Sequence, residues 1–261
     1  MYSKVTLKTF GWLIWKEIRE TRKILVSKII DSIIWPVCNT LVSGYILTAM
    51  GMPADYGIFM LVGSIIAVCI WDSMGDGYKL AADISGEKEI SYELTLPLTY
   101  KLVYLKSCLL YAIKISLFNI LSLPLGLILM SKEYGFLNIS IVKLIFVYLL
   151  SNFFIGAFLA FTIVFSKNAE SYGRFWARYG AILFAISGFQ FSWQTLFNVD
   201  STIAYITLLN PFIYTFEGIR VAIMGQGGFI NFWYCIFALM AFSVFFTWIG
   251  IYLFKKKLDC V

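Results

Sequence analysis

The chain has 261 residues, of which 60% are hydrophobic and only 14% are charged, and its mean hydropathy is +0.81. A soluble domain is about 45–50% apolar, so this composition excludes a soluble globular protein and indicates an integral membrane protein. The net charge of +6 comes mostly from basic residues beside the apolar runs, which is a signal of membrane orientation, so we expect no nucleic-acid partner.

Residues 1–28 are predicted to form an amphipathic helix on the cytoplasmic surface. Apolar side chains recur there at helical spacing, and basic side chains take most of the other positions. Trp12 and Trp15 lie beside these basic residues, which favours a helix within the inner headgroup layer. It serves either as a plain membrane anchor or as an anchor that also contacts a partner.

Six apolar runs follow, each long enough to cross a hydrocarbon core of about 30 Å as a helix. They are apolar on every face, whereas the strands of a membrane barrel alternate over about ten residues, so an all-α fold is expected. The predicted spans are residues 29–49, 57–74, 103–130, 139–165, 179–198 and 229–254. Residues 29–261 therefore form one six-span membrane domain.

Lysines and arginines predict the orientation, because cytoplasmic flanks of membrane spans retain them. Seven lie before the first span, and further groups follow the second, fourth and sixth spans. The opposite side has only Lys132, Lys143 and Arg220. We therefore expect a multi-pass protein of the cytoplasmic (inner) membrane with both termini in the cytoplasm.

A short helix is predicted in the cytoplasmic loop between the second and third spans. Ser85 can cap its start, Glu87 lies in the first turn, where the helix dipole favours an acid, and Pro97 prevents continuation. About ten residues rise roughly 15 Å, which is too short to cross and suits a helix lying across the inner surface. A solvated loop helix without further function is the alternative.

The third span contains Lys114, the only basic residue that is expected deep in the membrane. Pairing with Asp72, or a shift of the third span along the chain, explains it better than a substrate site. No carboxylate is expected well inside the bilayer, as a proton-driven carrier would require.

The outer segment "LNPFIYTFEGIR" predicts a second short helix before the last span. Asn210 can cap it, Pro211 suits the first helical position, and Gly225 can end it. About 14 residues rise about 20 Å, so the helix is expected to be re-entrant. Glu217 and Arg220 should pair with each other or with a symmetry mate and fix a lid; alternatively they face water.

The sequence gives little reason to expect catalysis. It has no histidine, and its five cysteines form no close pair, so neither a metal site nor a disulfide is indicated. The acids are dispersed over different loops, so no general acid–base pair is apparent. The motif G-x-x-x-x-G-K-[ST] is missing, so this chain does not hydrolyse ATP with a P-loop of its own.

Taken together, these elements resemble the type-2 membrane permease domains of ATP-binding-cassette exporters over the whole chain. The most specific element is Asn210-Pro211 followed by Glu217-Gly218 and Arg220. The resemblance implies that the cytoplasmic loop helix couples to an ATPase subunit and that the helices between spans five and six form an outer gate. It assigns coupling to Gly86, Glu87, Glu89, Tyr92, Glu93, Leu94 and Pro97, and the gate to Asn210, Pro211, Glu217, Gly218 and Arg220.

The resemblance further implies a non-catalytic permease subunit whose energy comes from a separate ATPase, which binds ATP and Mg, while this chain binds no cofactor. The other partners are membrane lipid and a second permease subunit, for which a homodimer is preferred over a heterodimer. Spans one, two and five would line the path, with Trp35, Tyr45, Phe189 and Phe191 as candidates. The substrate would be a lipid-linked glycan, a lipid or an amphipathic drug.

Two other classes of function remain open from the residues alone. The sparse charge within the spans would also suit a passive channel or a structural membrane scaffold with no ATPase partner. A membrane-embedded transferase or hydrolase would have to use the acids of the loops.

Overall fold

The computed structural model describes residues 4–53, 55–83, 93–129 and 139–258, and every regular element in these ranges is helical. The helices in chain order are α1 Lys4–Thr21, α2 Leu25–Leu41, α3 Tyr56–Ala82, α4 Tyr100–Phe118, α5 Ser122–Leu129, α6 Ile141–Phe165, α7 Ala169–Phe175, α8 Trp193–Val199, α9 Ser201–Thr207, α10 Phe212–Met224 and α11 Phe232–Leu258. A π-helical turn, Val42–Ile46, extends α2 to Ala49, and another, Trp176–Gly180, extends α7 to Ala185.

Five helical stretches in the described residues are long and apolar enough to cross a membrane. They are Leu25–Ala49, Tyr56–Ala82, Tyr100–Ile128, Ile141–Phe165 and Phe232–Leu258. The prediction of a helical, multi-pass membrane protein is thereby confirmed. The first stretch begins at Leu25, four residues earlier than predicted. It therefore includes Lys28, which pairs with Asp72 of α3, with 3.7 Å between Nζ and Oδ1.

The predicted fifth span, residues 179–198, is not one continuous helix. The extension of α7 ends at Ala185, and a new helix, α8, begins at Trp193, where the Ser192 hydroxyl accepts a hydrogen bond from the Thr195 amide. Between them Gly188 has a φ of 83°, a left-handed conformation that glycine adopts without steric cost. An apolar run that reads as one span therefore folds as two helices joined by a turn.

A second interruption separates α4 from α5 at residues 119–121. A carbonyl that loses its helical hydrogen bond at such a break is costly in an apolar environment. Here the Ser32 hydroxyl of α2 donates a hydrogen bond to the Phe118 carbonyl at 2.7 Å. The Ser122 hydroxyl donates in return to the Ser32 carbonyl at 3.2 Å. The break is thus hydrogen-bonded to the first long helix.

The long helices α6 and α11 run parallel. Phe158 of α6 packs edge-on against Phe246 of α11, with ring centroids 5.0 Å apart. Nearer the carboxyl ends of the two helices, Lys257 Nζ donates to the Ser166 carbonyl at 2.7 Å. Both helices therefore end on the same side of the molecule.

The short helix α10 packs inside this bundle. All of its residues except Tyr214 and Met224 are buried. Phe212, at its start, meets Phe158 of α6 edge-on, with ring centroids 5.1 Å apart. Thirteen residues rise about 20 Å, so α10 enters the bundle without crossing it.

We expect Gly156→Ala to weaken the contact between α4 and α6. A Cβ at this position would lie 2.5 Å from the Cys108 carbonyl oxygen and 3.0 Å from the Ala112 nitrogen, and backbone atoms cannot move aside cheaply. Overpacking of this kind costs about 1–3 kcal/mol, so the unfolding temperature should fall by several degrees. Thermal unfolding can be followed by the reaction of a maleimide dye with the buried thiols of Cys69, Cys108 and Cys235, after the exposed thiol of Cys38 has been blocked.

The matched control is Gly75→Ala on α3, where an added Cβ would meet no atom within 4 Å. Alanine is the better helix former, so this variant should unfold at or above the wild-type temperature. Equal unfolding temperatures for Gly156→Ala and wild type would contradict the close approach of α4 and α6.

Candidate functional site

Asn210 connects α10 to the end of the α7 extension. Its Oδ1 accepts a hydrogen bond from the Phe212 amide at 3.1 Å, and its Nδ2 donates to the Leu183 carbonyl at 2.6 Å. The Asn210 side chain thus binds the amide of the first helical residue, but the N-cap position is Pro211 and the helix begins at Phe212, so the predicted positions of Asn210 and Pro211 are each wrong by one residue. Gly225, with a φ of 92°, ends the helix as predicted.

Glu217 is completely buried and binds two backbone amides from outside its own helix. Oε1 accepts from the Trp193 amide at 3.0 Å, and Oε2 accepts from the Ile230 amide at 2.8 Å. Trp193 begins α8, and Ile230 lies two residues before α11. One carboxylate therefore joins α8, α10 and the start of the last long helix.

Arg220 is also completely buried, and its guanidinium binds the turn that interrupts the predicted fifth span. It donates to the carbonyls of Gly188 and Phe189, the latter at 2.7 Å from Nη2. The guanidinium carbon also lies 3.4 Å from the ring centroid of Phe59 on α3, a cation–π contact. Arg220 thus supplies donors to carbonyls that the turn leaves without helical partners.

The two charged side chains do not form an ion pair with each other, so the prediction that they pair is wrong, and so is the alternative that they face water. Burial raises the pKa of Glu217, opposed by the Ile230 amide, the Arg220 charge and the Trp193 amide. Burial lowers the pKa of Arg220 to about 9, opposed by Glu217. Each charge also has backbone hydrogen-bond partners, which buried ions need.

Gly218 completes the set of predicted outer-gate residues. A Cβ there would lie 2.9 Å from Val147 of α6 and 3.3 Å from Cys235 of α11. The glycine therefore lets α10 approach both long helices closely. The five residues Asn210, Pro211, Glu217, Gly218 and Arg220 all lie in α10 or directly before it.

The four aromatic residues predicted to line a path lie in different environments. Trp35 of α2 is 43% exposed and stacks on Phe189 with ring centroids 5.9 Å apart. Phe189 itself is buried, Phe191 is half-buried, and Tyr45, on the π-helical extension of α2, is exposed. The structure therefore brings Trp35 and Phe189 together, whereas Phe189 belongs to the packed interior around Arg220.

Two lysines of α4 bind carboxylates at the opposite end of the molecule. Lys106, which is only 5% exposed, forms an ion pair with Glu93. Lys114 lies two turns further along α4 and pairs with Glu17 of α1, with 3.5 Å between Nζ and Oε2. The predicted pairing of Lys114 with Asp72 is wrong, because Asp72 pairs with Lys28.

No ion-pair partner was predicted for Glu17 or Lys106. The sequence signal for these two residues is their chemistry: Glu17 is an acid within a mostly basic helix, and Lys106 is a lysine within an apolar run. The partners could not be read from the sequence, since Glu17 and Lys114 are 97 residues apart.

A cavity of about 370 Å³ lies beside these lysines, between α1, α3 and α4. Acids and bases line it in equal number together with apolar side chains, so its charge is balanced. Its charged lining residues are Glu17, Asp76, Lys79, Asp83, Lys106 and Lys114.

The described part of the predicted coupling helix is its carboxyl end. A helical turn covers residues 93–95 and stops before Pro97, as predicted. Glu93 faces Lys106, and Leu94 packs against a cluster that contains Tyr104 and Phe254. The remaining predicted coupling residues, Gly86, Glu87, Glu89 and Tyr92, lie outside the described residues.

Within the described ranges, no group of three or more histidine, cysteine or acidic side chains is placed to hold a metal ion. No family model matches the chain, and no curated protein or solved structure matches it. Its function must therefore be inferred from its own residues.

We expect Glu217→Gln to destabilise the protein strongly. The amide keeps one acceptor oxygen but turns a donor toward a backbone N–H, so the amide of Trp193 or Ile230 loses its partner. A hydrogen bond to a charged group contributes about 1.5–3 kcal/mol, and the unfolding temperature should fall accordingly. Glu170→Gln, on an exposed acid paired with Arg174, is the control and should unfold like wild type. Identical unfolding of both variants would contradict the role of Glu217.

Proposed function

We propose that this chain is the permease subunit of an ATP-driven exporter, of the kind built from type-2 ATP-binding-cassette membrane domains. A separate ATPase subunit binds ATP and Mg and supplies the energy. Two copies of the chain pair and move an amphipathic substrate outward across the cytoplasmic membrane. A lipid-linked glycan, a lipid or a drug would meet this description.

The two lysines of α4 are the observation that supports this proposal most. An ATP-driven transport subunit without a nucleotide-binding motif would receive a mechanical input from another subunit, and α4 is tied to two elements outside the spans, Glu17 of α1 and Glu93 of the loop. Separating a buried pair such as Glu93–Lys106 costs about 3–5 kcal/mol, because one charge is left uncompensated. Displacement of the loop helix would therefore move α4 instead of breaking the contact.

The parallel arrangement of α6 and α11 supports six crossings. A chain that links two parallel spans must return across the membrane once. Residues 169–185, formed by α7 and its extension, rise about 25 Å and are the segment that we assign to this crossing. Lys167 lies just before this segment and Arg174 in its second turn, which favours the cytoplasm for that end and for both termini.

The outer end then consists of α8, α9 and α10. The last is too short to cross and is fixed by buried Glu217 and Arg220, as expected for a lid that closes an exit. The acids within the long helices, Asp31, Asp72 and Asp76, all lie toward the end that contacts α1. This placement supports an external energy source over coupling to an ion gradient.

Affinity purification from the native membrane tests the proposal. We expect a soluble ATPase to co-purify, and reconstituted transport to require ATP. Substrate flux through the purified chain in ATP-free liposomes would instead show a passive channel. Export in cells that lack every co-purifying ATPase would overturn the proposal.

We expect Glu93→Lys to uncouple ATP hydrolysis from export, because two lysines would face each other in a buried site. A loss of about 3 kcal/mol in the contact corresponds to more than a tenfold fall in transport per ATP hydrolysed. The exchange variant Glu93→Lys/Lys106→Glu restores opposite charges and should recover most of the coupling. Transport per ATP hydrolysed is measured for both variants in proteoliposomes that contain the ATPase.

Glu170→Lys is the matched control for the Glu93 substitution, since it reverses an exposed acid whose pair is accessible to water. It should couple like wild type. Normal coupling in Glu93→Lys, or failure of the exchange variant to improve on it, would contradict the role assigned to this ion pair.

A further inference from the structure

A second cavity lies on a different side of α1, where α1 turns into α2. Its volume is about 400 Å³. Its walls come from the last turns of α1, the start of α2 and the end of α4. The lining residues are Trp15, Ile18, Arg19, Thr21, Arg22, Leu25 and Leu117.

The charge of this cavity is positive. Arg19 and Arg22 are its only charged lining residues, and neither forms an ion pair with a carboxylate among the described residues. Arg19 instead stacks on Trp15, with the guanidinium carbon 5.3 Å from the ring centroid. Neighbouring lysines do have acidic partners, since Lys16 pairs with Glu20 and Lys28 with Asp72. The cavity therefore favours an anionic ligand, unlike the charge-balanced cavity beside Lys114.

The rest of the lining is mostly apolar. Trp15, Ile18, Leu25 and Leu117 face the same space as the two arginines. Leu25 is the first residue of the stretch Leu25–Ala49, so the cavity lies where a membrane-crossing helix begins. At this level the hydrocarbon core gives way to lipid headgroups, and aromatic and basic side chains bind there. A ligand must therefore combine an anionic group with a hydrocarbon chain.

We propose that this cavity binds one anionic phospholipid. The guanidinium groups of Arg19 and Arg22 hold its phosphate, for which their planar forks are well suited, and an acyl chain lies against Leu25 and Leu117. A zwitterionic lipid would bring an ammonium group for which the lining offers no carboxylate. The bound lipid would fasten α1 to α2 and α4. This inference does not depend on the proposed transport function.

Native mass spectrometry of the purified protein in detergent tests the site. The probes are phosphatidylglycerol and phosphatidylcholine with the same acyl chains, and inorganic phosphate as a competitor. We expect one phosphatidylglycerol to be retained, at least about tenfold more tightly than phosphatidylcholine, because each basic side chain near a membrane contributes about a fivefold preference for anionic lipid. Arg19→Gln/Arg22→Gln should abolish this preference, and inorganic phosphate should not displace the lipid.

The matched control is Lys4→Gln/Lys8→Gln, which removes two positive charges from the same helix outside the cavity and should retain the lipid. Equal retention of the two lipids, or wild-type retention by the arginine variant, would overturn the proposal. An equal loss in both variants would show a general surface-charge effect, and displacement by phosphate would show a simple anion site; either result also overturns it. Circular dichroism and gel filtration verify that each variant is folded.

Discussion

The half of this protein that contains α8, α9 and α10 depends on a buried guanidinium that binds backbone carbonyls of a turn. Arg220 replaces helical N–H donors at the point where an apolar run folds back. Without these donors the carbonyls of Gly188 and Phe189 would lack partners in an apolar interior, where no water can substitute. The turn and α10 therefore require each other, and Glu217 extends this dependence to α8 and α11.

The two ends of the molecule use charge differently. At the end that contains α10 each buried charge binds backbone groups of remote segments, so several short helices are held as one unit. At the opposite end the charges pair side chain to side chain, with a tight buried contact at Glu93–Lys106 and half-exposed, longer contacts at Lys28–Asp72 and Lys114–Glu17. The half-exposed contacts are weaker, because water and salt screen them. The end that contains α10 is thus held by buried hydrogen bonds, whereas the end beside the charged cavity also has contacts that water and salt weaken.

Much of the architecture could be predicted from local sequence. Apolar runs gave five of the long helices, and Gly225 gave the end of α10, because helix termination depends on neighbouring residues. The start of α10 lies one residue later than Asn210 and Pro211 indicated. The Ser187-Gly188 pair is a local signal for the break, but its stabilising donor could not be predicted, since Arg220 lies 32 residues away. The partners of Glu217 and Lys114 were missed for the same reason. Each depends on a contact formed only after the helices have assembled.

The π-helical turn Val42–Ile46 divides the first membrane-crossing helix into two parts. The side chains of the second part are rotated about the helix axis relative to those of the first. Each residue of an α-helix advances about 100°, so accommodating one additional residue in a wide turn rotates everything beyond it by about that angle. Side chains that follow Ile46 therefore do not continue the stripe that contains Trp35. A single membrane-crossing segment can in this way present one surface to its own bundle before the π-helical turn. After the turn it can present a different surface to lipid or to a second subunit.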